Sequence, residues 1–298
     1  MVLEHIFPED WLERKGIYAF LLGIVYSAAS LAAASRLFPG DPALAALAFT
    51  SMLLLPELYK IFSIEERQES LEQRVSMKGL WRDDIEIVRI YFFLFLGIMV
   101  VYSIGTLFLP ELWTNTLFRE QLEIRLGQGF AGSATAGSAT GEIFSSGLFF
   151  SILANNFLVL MACFFLAFLA GDGAIFLVIW NASVWGTIFG LTAKNAAAFA
   201  GKHPLYFFGL IMMIVFPHMI IEAISYFLAA ISGSVISKDV LLEQLASERF
   251  FEVFGFNLYL LLFGLLFLLL GAIVETLVLQ NVTIYQDIIQ MSFNAMGG

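Results

Sequence analysis

Long apolar runs, broken at intervals by short clusters of charge, glycine and proline, set the pattern of this chain. A helix rises 1.5 Å per residue, so about 20 apolar residues cross the ~30 Å hydrocarbon core of a bilayer. Seven runs approach that length, at 17–37, 43–55 with an extension to 62, 87–109, 147–170, 174–193, 205–231 and 253–279. The second is the weakest, because Pro42 opens it and Pro56-Glu57 interrupts its end, a pattern that suits a short, kinked or re-entrant segment. The first is read as a membrane helix and not a signal peptide. It is too long for the apolar core of a signal, and Glu4, Glu9, Asp10 and Glu13 precede it where a basic region would stand. The pattern therefore predicts an all-α, polytopic transmembrane helix bundle of about seven spans, six if one is re-entrant.

Four segments follow from this reading. Residues 1–62 hold two N-terminal spans, 63–90 form a cytoplasmic juxtamembrane amphipathic segment, 91–279 form the main membrane domain, and 280–298 form a C-terminal tail. In the juxtamembrane segment Leu71, Val75, Trp81, Ile85 and Val88 carry a helical spacing opposite a mixed-charge face. After Pro110 a short amphipathic stretch carries Leu117, Phe118, Leu122 and Leu126. It gives way to low complexity near 127–141, where Gly-Ser-Ala-Thr occurs twice, and this reads as a flexible extracytoplasmic linker and not a phosphate loop.

Composition agrees with lipid as the solvent. Of 298 residues 60% are apolar and only 13% charged, and the 32 phenylalanines lie mostly inside the apolar runs. With 25 acids against 15 bases and no basic stripe, the chain is not expected to bind nucleic acid. Its single cysteine, Cys163, lies in an apolar run and reads as packing. The Lys and Arg distribution sets an orientation. With seven spans, Arg14, Lys15, the six between the second and third spans, Lys238 and Arg249 share one side. The remaining five share the other, which places the N-terminus in the cytoplasm.

Polar residues inside spans cost free energy, about 2.5–3.5 kcal/mol for an ionised one, so they are expected to face a bundle interior with partners. The fourth span carries Asn155-Asn156, about 100° apart on a helix, so the two amides are expected to need different partners. The fifth carries Asn181 and a Gly186-x-x-x-Gly190 element. In the sixth, Pro217 removes a helix hydrogen bond and His218 and Glu222 project from one face as a plausible pair. Ser225, Ala229 and Gly233 continue that helix as a small-residue seam. Glu275 lies toward the end of the last span, four residues after Gly271, at a position that suits either the interior or the interface. No catalytic, cofactor-binding or metal-ligating constellation stands out, so the chain is expected to be non-enzymatic and to carry no cofactor.

At these residues the chain resembles the stage II sporulation protein M family of multipass membrane proteins. An Asn-Asn span, here Ile152-Leu153-Ala154-Asn155-Asn156, is followed by Gly171-Asp172-Gly173, by Asn181 with Gly186 and Gly190, and by Pro217-His218 with Glu222 and Gly233. Glu275 looks like the acid of the family's final helix, and the resemblance covers roughly 91–279. Where the family has Asn-Gly and Pro-His-Gly, this chain has Asn181-Ala182 and Pro217-His218-Met219. The namesake is similar to a scaffold that acts with peptidoglycan-degrading partners. The resemblance implies a scaffold or component of a membrane assembly or remodelling complex, in contact with the lipid bilayer and with itself or other membrane proteins. The alternative is a channel or transporter for an ion or small solute, using the intramembrane His, Glu and Asn side chains.

Overall fold

The computed structural model describes residues 16–71, 77–127, 144–242 and 248–297. Among them there is no strand. Ten α-helices follow one another: α1 Gly16–Leu37, α2 Pro42–Leu71, α3 Met77–Phe108, α4 Glu111–Leu117, α5 Arg119–Gly127, α6 Ser146–Ala170, α7 Ile175–Ala200, α8 Pro204–Leu242, α9 Glu248–Asn281 and α10 Thr283–Gly297. Seven of them, α1, α2, α3, α6, α7, α8 and α9, are long and apolar enough to cross a membrane. The chain is thus an all-α polytopic membrane protein, as the hydrophobic runs predict.

Local chemistry sets the helix ends. Gly201, at φ 65°, takes the left-handed conformation that closes α7, and its N–H returns to the Ala197 carbonyl. Pro204 then opens α8 from the first helical position, where a missing N–H costs nothing. Ser145 caps α6 by accepting from the Leu148 N–H at 3.4 Å, while its own N–H donates to Gln280 Oε1 at 2.7 Å and ties α6 to the end of α9. Lys194 of α7 donates to the Leu109 carbonyl at 2.6 Å, which places a cation at the C-terminal end of α3.

Two prolines do not break the helices that hold them. Pro56 lies inside α2, which continues to Leu71 as one helix, and its Pro42–Tyr59 part is long and apolar enough to cross a membrane. Pro217 lies inside the 39-residue α8, which also runs on without interruption. A membrane helix tolerates such a residue because its neighbours and the surrounding backbone absorb the one missing bond. The juxtamembrane segment is likewise the continuation of α2 and the beginning of α3 and forms no separate element, with residues 72–76 outside the described residues. The linker near 127–141 also lies outside them beyond the end of α5.

The bundle is organised around α3, α7 and α8. In α7, 67% of the apolar window is buried, against 22% in α6, so α7 is an axial helix and α6 lies at the periphery of the bundle. Tyr91 and Phe95 of α3 meet Phe227 of α8, and Phe95 also meets Trp185 of α7 edge-on at 5.3 Å. Between apolar helices in lipid the attraction comes from close packing and hydrogen bonds, so small residues decide where backbones approach. Gly97 of α3 lies against the Phe20 carbonyl of α1, and Gly23 of α1 answers against the Leu94 carbonyl. Gly186 and Gly190 of α7 sit on Met99 and Ser103–Thr106 of α3.

The seam in α8 is closed in the same way, since Gly233 abuts the Phe164 carbonyl of α6 and Ser225 and Ala229 are fully buried with Gly264 of α9 over them. Both small-residue seams therefore serve contacts within one chain. The two short helices after Pro110 dock on the bundle through Phe118, which lies under Tyr102 at 5.4 Å, and Gln121, whose amide donates to Ser183 Oγ at 3.3 Å. The C-terminal tail folds as α10 and packs on α7 through Tyr285, Ile288, Ile289 and Ser292.

Replacing Gly97 by Leu forces α1 away from α3 at a point of backbone contact. The expected loss is about 1–3 kcal/mol, seen as a lower melting temperature of the purified protein in detergent, whereas Gly40→Ala, with open space around it, leaves the melt unchanged.

Candidate functional site

The polar residues singled out in the spans converge. Asn155 and Asn156 on α6, Asn181 on α7, His218 and Glu222 on α8 and Glu275 on α9 all line one cavity of about 380 Å³. Helical geometry brings them there. His218, Glu222 and Tyr226 recur every four residues and so share one face of α8, which is turned toward the space between α6, α7 and α9.

A hydrogen-bonded chain crosses three helices. Asn155 Nδ2 donates to Asn156 Oδ1 at 3.2 Å, Asn156 Nδ2 donates to Glu222 Oε1 at 2.8 Å, and the Glu222 carboxyl is in side-chain hydrogen-bonding contact with Glu275. The two amides thus join each other instead of seeking separate partners. Adjacent positions on a helix diverge, but an extended amide spans the gap when both side chains lean to the same groove.

Glycine makes the room for this contact. A Cβ at Gly271 would lie 2.7 Å from Glu222 Cγ, so the absence of a side chain there allows the Glu222 carboxyl to lie along α9 one turn before Glu275. Glu222 is 3% exposed, and Ser225 Oγ donates to its backbone carbonyl at 2.6 Å. Glu275 lines the same cavity and is half-buried.

The expected His218–Glu222 pair is not what the geometry shows: Glu222 turns to Asn156 and Glu275, and His218 Nδ1, 94% buried by residue, has no hydrogen-bond partner. Asn181 lines the cavity but donates to its own helix, to the Leu177 carbonyl at 2.8 Å. Pro217 does not line the cavity; it precedes His218 in α8.

The walls between the polar groups are aromatic and aliphatic. Trp180, Trp185 and Phe189 of α7, Tyr226 of α8 and Tyr285 of α10 face the cavity. None of these was singled out from the sequence. Tyr226 could have been found as the next residue of the His218–Glu222 series, and Tyr285 as the first of the buried positions 285, 288, 289 and 292 of α10, a helical spacing. Ala182 and Met219, which stand where the family pattern has glycine, are 0% and 1% exposed, and the Met219 side chain is itself part of the cavity wall. The cavity opens along α6, where Asn155 is exposed and Leu158 is 69% exposed. Among the described residues that line it, none is Lys or Arg.

In comparisons with known proteins, the family model described as stage II sporulation protein M matches residues 17–278. The match starts inside α1, so it takes in the two N-terminal spans that the motif resemblance left outside. No curated protein and no solved structure matches.

The Asn156→Leu variant removes the bond between α6 and α8 and leaves Glu222 with one fewer donor. It is expected to destabilise the protein by about 1 kcal/mol, measured as reduced thermal stability in detergent, whereas Asn181→Leu, which loses only a bond within its own helix, costs less.

Proposed function

The chain belongs to the stage II sporulation protein M family, and within that membership we propose that it is a non-enzymatic membrane protein whose working part is the polar chamber between α6, α7, α8 and α9. In this reading the chamber binds a small polar or charged solute and lets it, or a proton, cross the membrane. The observation that carries it is the convergence of Asn155, Asn156, Asn181, His218, Glu222 and Glu275 on one cavity within the spans. Polar groups that only knit helices together do not need an open volume beside them, and intramembrane acids of this kind mark solute and proton pathways.

The second reading, a scaffold within a membrane assembly or remodelling complex, draws on the family match. The two small-residue seams that first suggested self-association no longer support it, because α3, α6 and α9 cover them.

The reading is tested in proteoliposomes that contain a pH-sensitive dye. Under an imposed membrane potential the wild type is expected to show protein-dependent proton or cation flux, reduced about tenfold or more in Glu222→Gln. Equal flux in wild type, Glu222→Gln and His218→Ala, each shown to be folded, would overturn it and leave the scaffold reading.

The proposed orientation, N-terminus in the cytoplasm, places the loop between α7 and α8 outside. In a Cys163→Ser background, Lys202→Cys and Leu112→Cys are expected to react with an impermeant maleimide on intact cells. Labelling only after permeabilisation would reverse the orientation.

A further inference from the structure

Resting on the chamber reading above, we infer that the ligand it takes is a small organic ammonium ion, bound between Glu222, Glu275 and the aromatic residues of the chamber wall.

Charge excludes the opposite sign. The chamber's ionisable lining consists of Glu222, Glu275, His218, Tyr226 and Tyr285, with no Lys or Arg among the described residues. From α6 the acids are faced by Asn155 and Asn156, and Cys163 lies beside Tyr226. α7 contributes Asn181, Trp180 and Trp185, and α10 contributes Tyr285. An anion placed here would meet two carboxyl groups and no compensating cation.

The donor set also selects among cations. Among the described residues no group of three or more His, Cys, Asp or Glu side chains is placed to hold a metal ion. A divalent ion stripped of water needs such a set. An organic ammonium ion needs less: one counter-charge, aromatic faces for its electron-poor surface, and apolar contact for its substituents. Trp180, Trp185, Tyr226 and Tyr285 supply the faces, and Val159, Leu177 and Met219 supply the contact.

His218 is the second mark of a ligand. It is 94% buried, lines the chamber and keeps Nδ1 unpartnered, although a buried ring nitrogen ordinarily finds a partner. The chamber's exposed lining residues, Asn155 and Leu158, lie midway along α6, and the apolar Leu158 suits the approach of a cation with apolar substituents.

The Asn156 amide, donating to Glu222 Oε1 at 2.8 Å, fixes that side chain at the chamber wall where the cation would sit.

Quenching of tryptophan fluorescence tests the inference on the full chain in detergent. The probe is benzyltrimethylammonium, whose charge does not vary with pH, and benzyl alcohol and benzoate are the neutral and anionic controls. The expected result is saturable quenching by the cation, at least about tenfold tighter than by benzyl alcohol. The preference for the cation should be lost in Glu275→Gln and in Glu222→Gln. If one variant does not fold, the other is used, and the ranking of the three probes on wild type decides by itself.

Equal or tighter binding of benzyl alcohol or benzoate overturns the ammonium assignment. Wild-type affinity in both variants overturns it too. These failures leave the chamber reading standing if proteoliposome flux still depends on Glu222. Loss of that flux together with retained cation binding would instead sink the transport reading and keep the ligand.

Discussion

A carboxyl group within a bilayer has no water to turn to, and the arrangement around Glu222 is the answer to that constraint. Asn156 reaches it from α6, Glu275 from α9, and Gly271 removes the side chain that would block the approach. Three helices are thereby fixed in depth and rotation relative to one another. Hydrophobic packing between them could tolerate a slide or a turn, because one leucine face resembles another. A buried acid with two specific partners could not.

The rest of the bundle is built to let these helices come that close. Gly186 and Gly190 seat α7 on α3, and Gly233 seats α8 on α6, in each case against backbone or small side chains. Their effect is to set distances, and the distances leave a chamber where polar groups face each other. Aromatic residues then occupy what glycine does not, with Phe95, Trp185 and Phe227 interlocked between α3, α7 and α8. Two neighbouring features, the packed core and the open chamber, thus derive from the same alternation of small and large residues along α7 and α8.

Much of this was legible in the sequence, and the reasons for the rest are physical. Span positions follow from hydropathy because lipid imposes one length on every crossing helix, and Asn155, Asn156, Asn181, His218, Glu222 and Glu275 stand out because polarity in a span is costly. Their pairing was not legible. The partner of Glu222 lies 66 residues away in sequence, and a choice between His218 one turn off and Asn156 on another helix depends on rotation that no local pattern records. Pro56 misled for a related reason: rules for proline come from helices in water, and a helix in lipid that loses one bond has nothing better to turn to than to remain a helix. The helix at 283–297 was hidden by its position after the last apolar run, although its buried residues follow a helical spacing.

The chamber's division among four spans and α10 has a consequence for how the protein is made. Glu222 enters the membrane on α8 before α9, with Glu275 and Gly271, has been synthesised, and Tyr285 emerges later still. During that interval the acid's lasting partner is Asn156, already in place on α6. The amide that looks like one link in a finished network is therefore also a placeholder during insertion, and it shelters a solitary carboxyl group until the helix that completes its surroundings has been threaded into the bilayer.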